Sequence, residues 1–257
     1  MMERMSHWWH YLLLGVVALL LFLVMRFPAQ VAYGLVADSL GKEVQLAGVT
    51  GTLWRGEAQQ LQVQSRAVAS LNWQLSAWGL LWGRLSGEVS AHQDDAYLQS
   101  QLTTPLGGGE LSLSETEARI PLSLIQPYLT QLPLPLDGVI SLKLDALQID
   151  AEGRPQQATG RVVWHQAGVS APQPLLFGDL QMDLENIDGG GIEGTISDSG
   201  GPLHLRATLT MSVDGAYQLE GKVKATELAA QELRQYLSLL GKADAEGFRS
   251  INLRGAI

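Results

Sequence analysis

Two patterns of apolar and polar residues divide the chain. Near its N-terminus an 18-residue run from Trp8 to Met25 has His10, near one end, as its only strongly polar residue, whereas beyond Gly41 the dominant pattern is an alternation of apolar and polar residues. As a helix, such a run would be about 27 Å long, close to the hydrocarbon thickness of a bilayer. Period-two alternation is typical of half-buried β-strands. The sequence therefore predicts one N-terminal transmembrane helix followed by β-structure.

The flanks of the apolar run fit a membrane anchor. Trp8, Trp9 and Tyr11 lie at one end, where amphipathic rings favour the membrane interface, and Arg4 and Arg26 bracket the run with charges that can reach head groups. A cleaved signal peptide is the competing interpretation, but the chain offers no clean pair of small residues at the expected cleavage position. We therefore expect an uncleaved single-pass anchor.

The balance of basic residues around the anchor sets its expected orientation. Arg4 and His7 precede it and Arg26 follows it, which favours an N-terminus inside the cell. The expected arrangement is a short cytoplasmic tail at residues 1–7, a transmembrane anchor in the inner membrane at residues 8–26, and a periplasmic β-rich domain at residues 27–257. The sequence shows no linker that would divide that domain.

The clearest strands form a hairpin. Alternation over residues 203–213 is followed by Asp214-Gly215, a strong hairpin signal, and then by alternation over residues 217–224. The same period occurs in Leu61/Val63, Ile140/Leu142/Leu144, Leu180/Met182/Leu184 and Ile251/Leu253. Strands this frequent, without regular helices between them, predict a mainly β fold: one large, curved, mostly antiparallel sheet with one or two short covering helices.

Three short helices interrupt this pattern. The first begins at Pro28, with Gly41 as its stop, and the second lies near Leu122–Leu129. The third covers Glu227–Leu240, with Thr226 as the N-cap candidate. We expect the later helices to cover an end or edge of the sheet.

Charge and residue usage exclude several kinds of function. The formal net charge is −9 and the pI is about 5.0, which disfavours a nucleic-acid partner because phosphate binding needs a concentrated basic surface. The chain has no cysteine, so disulfides, thiolate catalysis and cysteine-ligated metals are excluded.

No catalytic, cofactor or metal site is predicted. Five histidines lack metal-ligand spacing: His7, His10, His92, His165 and His204. The glycine triplets at residues 107–109 and 189–191 are interpreted as turns, as is Asp94-Asp95, and the chain has no G-x-S-x-G elbow. The chain is therefore interpreted as a non-enzyme.

One quasi-repeat forms the candidate structural motif. GTLWRGEA at residues 51–58 is echoed by GLLWGRLSGE at residues 79–88, and each places an aromatic residue among glycines in a strand-like context. The motif residues are Gly51, Leu53, Trp54, Gly56, Trp73, Trp82 and Gly87. We expect the tryptophans to pack on the sheet while the glycines permit bends; the alternative is that some tryptophans line an apolar ligand groove.

With these features the sequence resembles the type II secretion system protein N family of Gram-negative bacteria. The resemblance rests on the short N-terminal start, the single anchor, the GTLW-x-G segment, the stretch from Trp73 to Gly87 and the β-rich remainder. It implies an accessory inner-membrane component of the apparatus that exports folded proteins from the periplasm across the outer membrane, with other components of that apparatus as partners. A looser likeness, at the level of the fold, is to AsmA-like envelope proteins associated with lipid transport.

Two hypotheses follow from these likenesses. In the first, the chain is a non-enzymatic secretion component that acts through protein contacts and is held in the lipid bilayer by its anchor. In the second, it is a lipid-binding or lipid-transfer module whose apolar β groove holds a bound lipid. The observation that separates them is whether the apolar face of the sheet is covered or left open.

Overall fold

The computed structural model describes residues 5–36, 44–63, 66–128, 135–171 and 173–256. These residues divide into two compact units, Met1–Ala91 and His92–Ile257, which we treat separately. The second unit is mainly β, and the first combines helices and strands in nearly equal shares, so the described residues as a whole are mainly β, as the alternating pattern predicts.

The first unit begins with two helices and continues with strands. The helices are α1 (Met5–Met25) and α2 (Ala29–Val36). The strands are β1 (Val44–Gly51), β2 (Arg55–Val63), β3 (Arg66–Ser76) and β4 (Arg84–Gln93), with a 3-10 helix at Ala77–Trp82 between the last two. Within the described residues, no helix combines the length and apolar character needed to cross a bilayer. The anchor at residues 8–26 therefore stays a prediction.

Helix α2 packs on the first two strands. It confirms the short helix expected after Pro28, although Gly41, the expected stop, lies outside the described residues. Ala29, Val49 and Ala58 are buried together, and the partly buried residues around them are Tyr33, Leu46, Leu71 and Trp73. Two hydrogen bonds fix the helix to β1: the amide nitrogen of Leu46 donates to the Tyr33 hydroxyl at 3.0 Å, and Gln30 Nε2 donates to the carbonyl of Val49 at 2.9 Å.

The second unit consists of strands β5–β13 with short helical pieces between some of them. The strands are β5 (Ala96–Pro105), β6 (Glu110–Pro121), β7 (Leu136–Asp150), β8 (Pro155–Val169), β9 (Leu175–Asn186), β10 (Ile192–Asp198), β11 (Leu203–Met211), β12 (Ala216–Ala225) and β13 (Arg249–Ala256). The helical pieces are α3 (Leu122–Ile125), a 3-10 helix at Gln126–Tyr128, and α4 (Gln231–Ser238).

Strand order follows chain order in both units, and the strand pairs β1–β2, β2–β3 and β5–β6 through β12–β13 are antiparallel. The predicted hairpin is confirmed: β11 pairs with β12 from Leu203 opposite Ala225 to Met211 opposite Tyr217. Its turn contains Gly215, whose φ of +86° suits a residue without a Cβ. The prediction of an antiparallel sheet, rather than parallel βαβ units, is therefore confirmed.

The main core of the second unit lies beneath α4. Leu233 and Leu237 of this helix are buried against Leu203 of β11 and Val223 of β12. The helix thus covers part of the sheet, as expected, but it begins at Gln231 with Ala230 at the N-cap position rather than at Glu227. The predicted N-cap is wrong because the Thr226 hydroxyl is engaged elsewhere: it donates to the carbonyl of Gly201 at 2.7 Å and accepts from the amide of Leu228 at 3.2 Å.

The other predicted helix is short. Residues 122–128 form α3 followed by the 3-10 helix that contains Pro127, and Leu129 lies outside the described residues. Leu122 is buried. Proline lacks an amide donor and cannot continue an α-helical ladder, which accounts for the change of helix type.

Candidate functional site

The first half of the quasi-repeat ties α1 to the sheet of the first unit. Gly51 ends β1 with a φ of +89°, and a Cβ there would lie 2.5 Å from the carbonyl oxygen of Arg55. In the following turn, the amide of Leu53 donates to the carbonyl of Phe27 at 2.9 Å, and the indole nitrogen of Trp54 donates to the carbonyl of Val24 at 2.8 Å. These residues therefore hold the end of α1 against the start of β2.

Gly56 provides room for a tryptophan ring. Gly56 of β2 lies opposite Trp73 of β3, and a Cβ at Gly56 would overlap that ring. The indole nitrogen of Trp73 donates to the carbonyl of Leu53 at 3.0 Å, which joins both tryptophans of this region to one turn. Gly87 of β4 is similarly close to β3, since a Cβ there would lie 2.5 Å from the carbonyl oxygen of Gln74. Neither Gly56 nor Gly87 therefore leaves room for a Cβ.

The second half of the quasi-repeat is different from what the sequence predicts. Residues 77–82 form a 3-10 helix instead of a strand, and β4 begins at Arg84. Trp78 and Trp82 do not pack on the sheet: their side chains are 76% and 83% exposed. The motif residues are therefore not a single cluster, because Trp82 stands apart from the contacts made around Trp54 and Trp73.

An open cleft of about 530 Å³ lies beside the first half of the motif. Gly51, Gly56 and Trp73 line it, together with charged and polar side chains that include Arg55 and Glu57. This mixed lining differs from the apolar groove considered as the alternative role of the tryptophans.

A continuous apolar row crosses the second unit. Its members occupy paired positions on the nine described strands β5–β13, namely Leu98, Ala118, Leu142, Val162, Met182, Ile196, Ala207, Gly221 and Ile251. At about 4.8 Å per strand, the eight steps between them extend roughly 38 Å. A second row of paired residues, from Leu144 to Leu253, follows it on the same face with aliphatic residues and glycines.

The opposite face carries a polar row. Because neighbouring residues in a strand point to opposite faces, the paired positions one residue away form a second line: Gln99, Glu117, Lys143, Arg161, Asp183, Thr195, Thr208, Glu220 and Asn252. The two faces of this sheet therefore differ in character along its whole set of strands.

Ion pairs connect adjacent strands along the polar row. Lys143 Nζ lies 2.9 Å from Glu117 Oε1, and the hydrogen bond and charge of that carboxylate raise the pKa of Lys143. Arg161 Nε lies 2.6 Å from Asp183 Oδ1. Hydrogen bonds from Arg161 and then Gln181 hold the pKa of Asp183 below its ordinary value, against a smaller opposing effect of burial.

Helix α4 covers the apolar face at one end. Its buried contacts are with residues such as Val169, Leu175 and Leu203, which lie near the ends of their strands. In the middle of the apolar row, Leu142, Val162, Met182 and Ile196 are half-buried. A second layer packed over these residues would leave them buried. The sequence analysis did not predict this surface, because it depends on the register between strands, which a single strand's sequence does not give.

The described residues contain no group of three His, Asp or Glu side chains that could hold a metal ion. His165 Nδ1 lies 3.1 Å from Asp179 Oδ2, and His204 Nδ1 lies 3.4 Å from Asp198 Oδ2. Both pairs join adjacent strands or strand ends. The glycine triplets and Asp94-Asp95 lie in turns between strands, as predicted.

Comparison with known proteins gives one consistent result. The profile of the type II secretion system (T2SS) protein N family matches residues 42–252. The chain belongs to this family. It is 28% identical over 254 residues to type II secretion system protein N of Aeromonas hydrophila, covering 95% of this chain and 96% of that protein.

Other family members show the same full-length likeness. The protein N of Vibrio cholerae serotype O1 is 28% identical over 254 residues, covering 96% of this chain and 98% of its own. That of Klebsiella pneumoniae is 27% identical over 232 residues, covering 89% and 88%. No solved structure matches. Family membership confirms the resemblance noted in the sequence and gives the chain a role in type II secretion.

Proposed function

We propose that the chain is a non-enzymatic accessory component of the type II secretion system, anchored in the inner membrane, that supports export of folded proteins through contacts with other components. The observation that carries this proposal is the family match at residues 42–252, which includes β1 to β12 and the first half of β13. The motif supports it too, since the contact between Gly56 and Trp73 is one of close packing between β2 and β3.

The proposed arrangement places residues 1–7 in the cytoplasm, the anchor at residues 8–26, and residues 27–257 in the periplasm. Every described side chain from Trp9 to Arg26 is exposed, although this run is almost wholly apolar. A helix that is apolar on all sides is costly to keep in water and is stable in hydrocarbon. These exposed side chains support an anchor.

The secretion role is tested in a host that lacks the protein. Without the chain, folded substrates of type II secretion should accumulate in the periplasm, and the wild-type chain should restore their release. Mild cross-linking, detergent extraction and mass spectrometry should then recover other secretion components with the chain. Normal export in the deletion strain, together with no such recovery, would overturn the proposal.

The orientation is tested with a single cysteine, because the chain has none of its own. Ser199 is exposed in the second unit, between β10 and β11. A Ser199→Cys variant should react with a membrane-impermeant maleimide in intact spheroplasts. Labelling that requires lysis would place the second unit in the cytoplasm and contradict the arrangement.

A second candidate function is the binding of lipid acyl chains along the apolar row. The observation that favours it is that Leu142, Val162, Met182 and Ile196 are half-buried at the middle of an apolar line about 38 Å long. Acyl chains bring no polar groups and so suit a surface that offers no hydrogen bonds, whereas a peptide would bring backbone amides that need partners.

Adjacent valines provide a matched test of lipid binding. Val162 belongs to the apolar row, and Val163 pairs with Ser141 and Gln181 on the opposite face. After mild detergent extraction, Val162→Asp should reduce the phospholipid that co-purifies with the chain, and Val163→Asp should leave it unchanged. Circular dichroism verifies that both variants fold. Equal phospholipid in both folded variants, or its absence from the wild type, would reject this candidate.

A further inference from the structure

The 3-10 helix at Ala77–Trp82, which we call the tryptophan turn, exposes three large apolar side chains. Trp78, Leu81 and Trp82 are 76%, 75% and 83% exposed, and none of the residues in the turn is buried. A group of large apolar side chains in water indicates an interaction surface, because isolated exposed residues are common but contiguous groups are rare. This turn is the part of the quasi-repeat that internal packing does not explain.

Two glycines fix the geometry of the turn. Gly83 has a φ of +68° and its amide donates to the carbonyl of Leu80 at 3.1 Å, which closes the last turn before β4. At Gly79 a Cβ would lie 2.5 Å from the carbonyl oxygen of Arg84, so a larger residue would force the turn away from β4. The exposed side chains are therefore presented by a defined backbone.

Hydrogen bonds connect the strand that leads into the turn with the end of α1. The indole of Trp54 donates to the carbonyl of Val24, and the amide of Leu75 in β3 donates to the carbonyl of Trp54 at 2.6 Å. Leu75 precedes the first residue of the turn, Ala77, by two positions, or about 7 Å of extended chain. The sequence places the bilayer boundary near Arg26, two residues after Val24.

The chemistry of the turn suits a lipid interface. Tryptophan combines an apolar ring with one N–H donor and is enriched where hydrocarbon meets head groups. Arg84 follows the turn and Arg26 follows α1, and both are exposed, so each is able to reach a lipid phosphate. These two cations are notable in a chain whose net charge is −9, and their charge is complementary to an anionic membrane surface.

We propose that the tryptophan turn inserts Trp78, Leu81 and Trp82 into the interface of the bilayer that holds α1. The inference rests on the proposed anchor and adds a second point of membrane contact. One helix alone leaves the first unit free to rotate about the helix axis. Two contacts fix the direction in which β2 and β3 leave the membrane surface, and hence the surface of the first unit that a secretion partner would meet.

Single labels test the insertion in the full chain. Leu81→Cys carries an environment-sensitive fluorophore at the turn, Leu14→Cys carries it in α1, and Gln60→Cys carries it in β2. Gln60 is exposed and lies five residues from Arg55, about 17 Å along the strand. Each protein is reconstituted into vesicles of phosphatidylethanolamine and phosphatidylglycerol, with or without brominated acyl chains.

The expected result is that brominated lipid quenches the labels at positions 14 and 81, whereas aqueous iodide quenches the label at position 60 several-fold more than that at position 81. A quenched label at 14 with a water-accessible label at 81 would overturn the insertion and leave the anchor intact; the turn would then be free to meet a protein. Loss of lipid quenching at both positions would overturn the insertion and the proposed anchor together.

A second variant checks that the aromatic rings are responsible. Trp78→Ser and Trp82→Ser, combined in the Leu81→Cys protein, replace two exposed side chains and should not disturb the buried packing. The label at position 81 should then become accessible to iodide, while the label at position 14 in the same background stays quenched by brominated lipid. Unchanged protection at position 81 would show that the tryptophans do not hold the turn in the interface.

Discussion

Adding one methyl group at Gly56 should test whether the motif acts through packing. In Gly56→Ala the new Cβ would overlap the ring of Trp73 and lie 2.8 Å from the carbonyl oxygen of Thr50. The ring cannot move freely, because its indole nitrogen donates to the carbonyl of Leu53 at 3.0 Å. Relief of the overlap therefore requires either a shift of β2 against β3 or loss of that hydrogen bond.

The expected cost is that of overpacking a filled site, about 1–3 kcal/mol in the free energy of unfolding. With a urea dependence of about 1–3 kcal/mol per molar, the unfolding midpoint should fall by roughly 1 M. The assay is urea unfolding of the detergent-solubilised full chain, followed by the fluorescence of its tryptophans, among which Trp73 reports directly on this contact.

Gly34 provides the matched control. It lies within α2, and a Cβ there would meet nothing within 4 Å. Gly34→Ala should therefore be neutral or raise stability by up to about 1 kcal/mol, because alanine favours a helix over glycine. In a Trp73→Leu background, the cost of Gly56→Ala should fall. An equal urea midpoint for Gly56→Ala and the wild type would refute the packing role.

Other changes probe the second unit by urea unfolding. Leu233→Ala should cost about 2–5 kcal/mol because Leu233 is 2% exposed in the α4 core, whereas Leu239→Ala, at an 80% exposed position, should change stability by less than about 0.5 kcal/mol. The hydroxyl oxygens of Thr116 and Ser100 are both buried and lie 2.7 Å apart. Thr116→Val should therefore cost about 1–3 kcal/mol, because it removes this hydrogen bond from the buried Ser100 hydroxyl. Hydrogen bonding to Arg161 lowers the pKa of Asp183 in the folded protein, so the ionised carboxylate stabilises the fold. This stabilisation is present above about pH 4 and is lost as the pH falls through the folded-state pKa. Asp183→Asn should therefore weaken the acid dependence of the midpoint in this range, and an unchanged acid dependence would contradict that assignment.

Local patterns were sufficient for the clearest strands and their faces. Leu203 to Val213 alternates strictly and Asp214-Gly215 follows, so the hairpin of β11 and β12 is specified by neighbouring residues alone. The start of α4 was harder to predict from the sequence. Thr226 suits an N-cap by residue type, but its hydroxyl contacts Gly201, which is 25 residues away, and such long-range competition has no local signal.

The candidate surfaces depended on tertiary information. The apolar row exists because Val162 of β8 lies opposite Met182 of β9 and Leu142 of β7. This register between strands cannot be derived from the alternation within each strand. The exposure of Trp78 and Trp82 was also not predictable, since tryptophans near strands usually pack and the turn depends on how Gly79 meets β4. Residue type indicated that the motif was structural, while its division into a packed half and an exposed half came from the fold.

The pairing of each strand with its neighbours in the chain has a consequence for how the protein is made. In β6–β13, every strand pairs with the strand immediately before it, so no pairing requires a segment that is synthesised much later. Most of these pairings close short loops, and the longer connections before β7 and β13 contain α3 and α4. A growing chain can therefore assemble this sheet progressively, one strand after another, in the order of synthesis. A truncation after Gly241 would keep α4 and its buried leucines and remove only β13, so the pairings from β5 to β12 should remain.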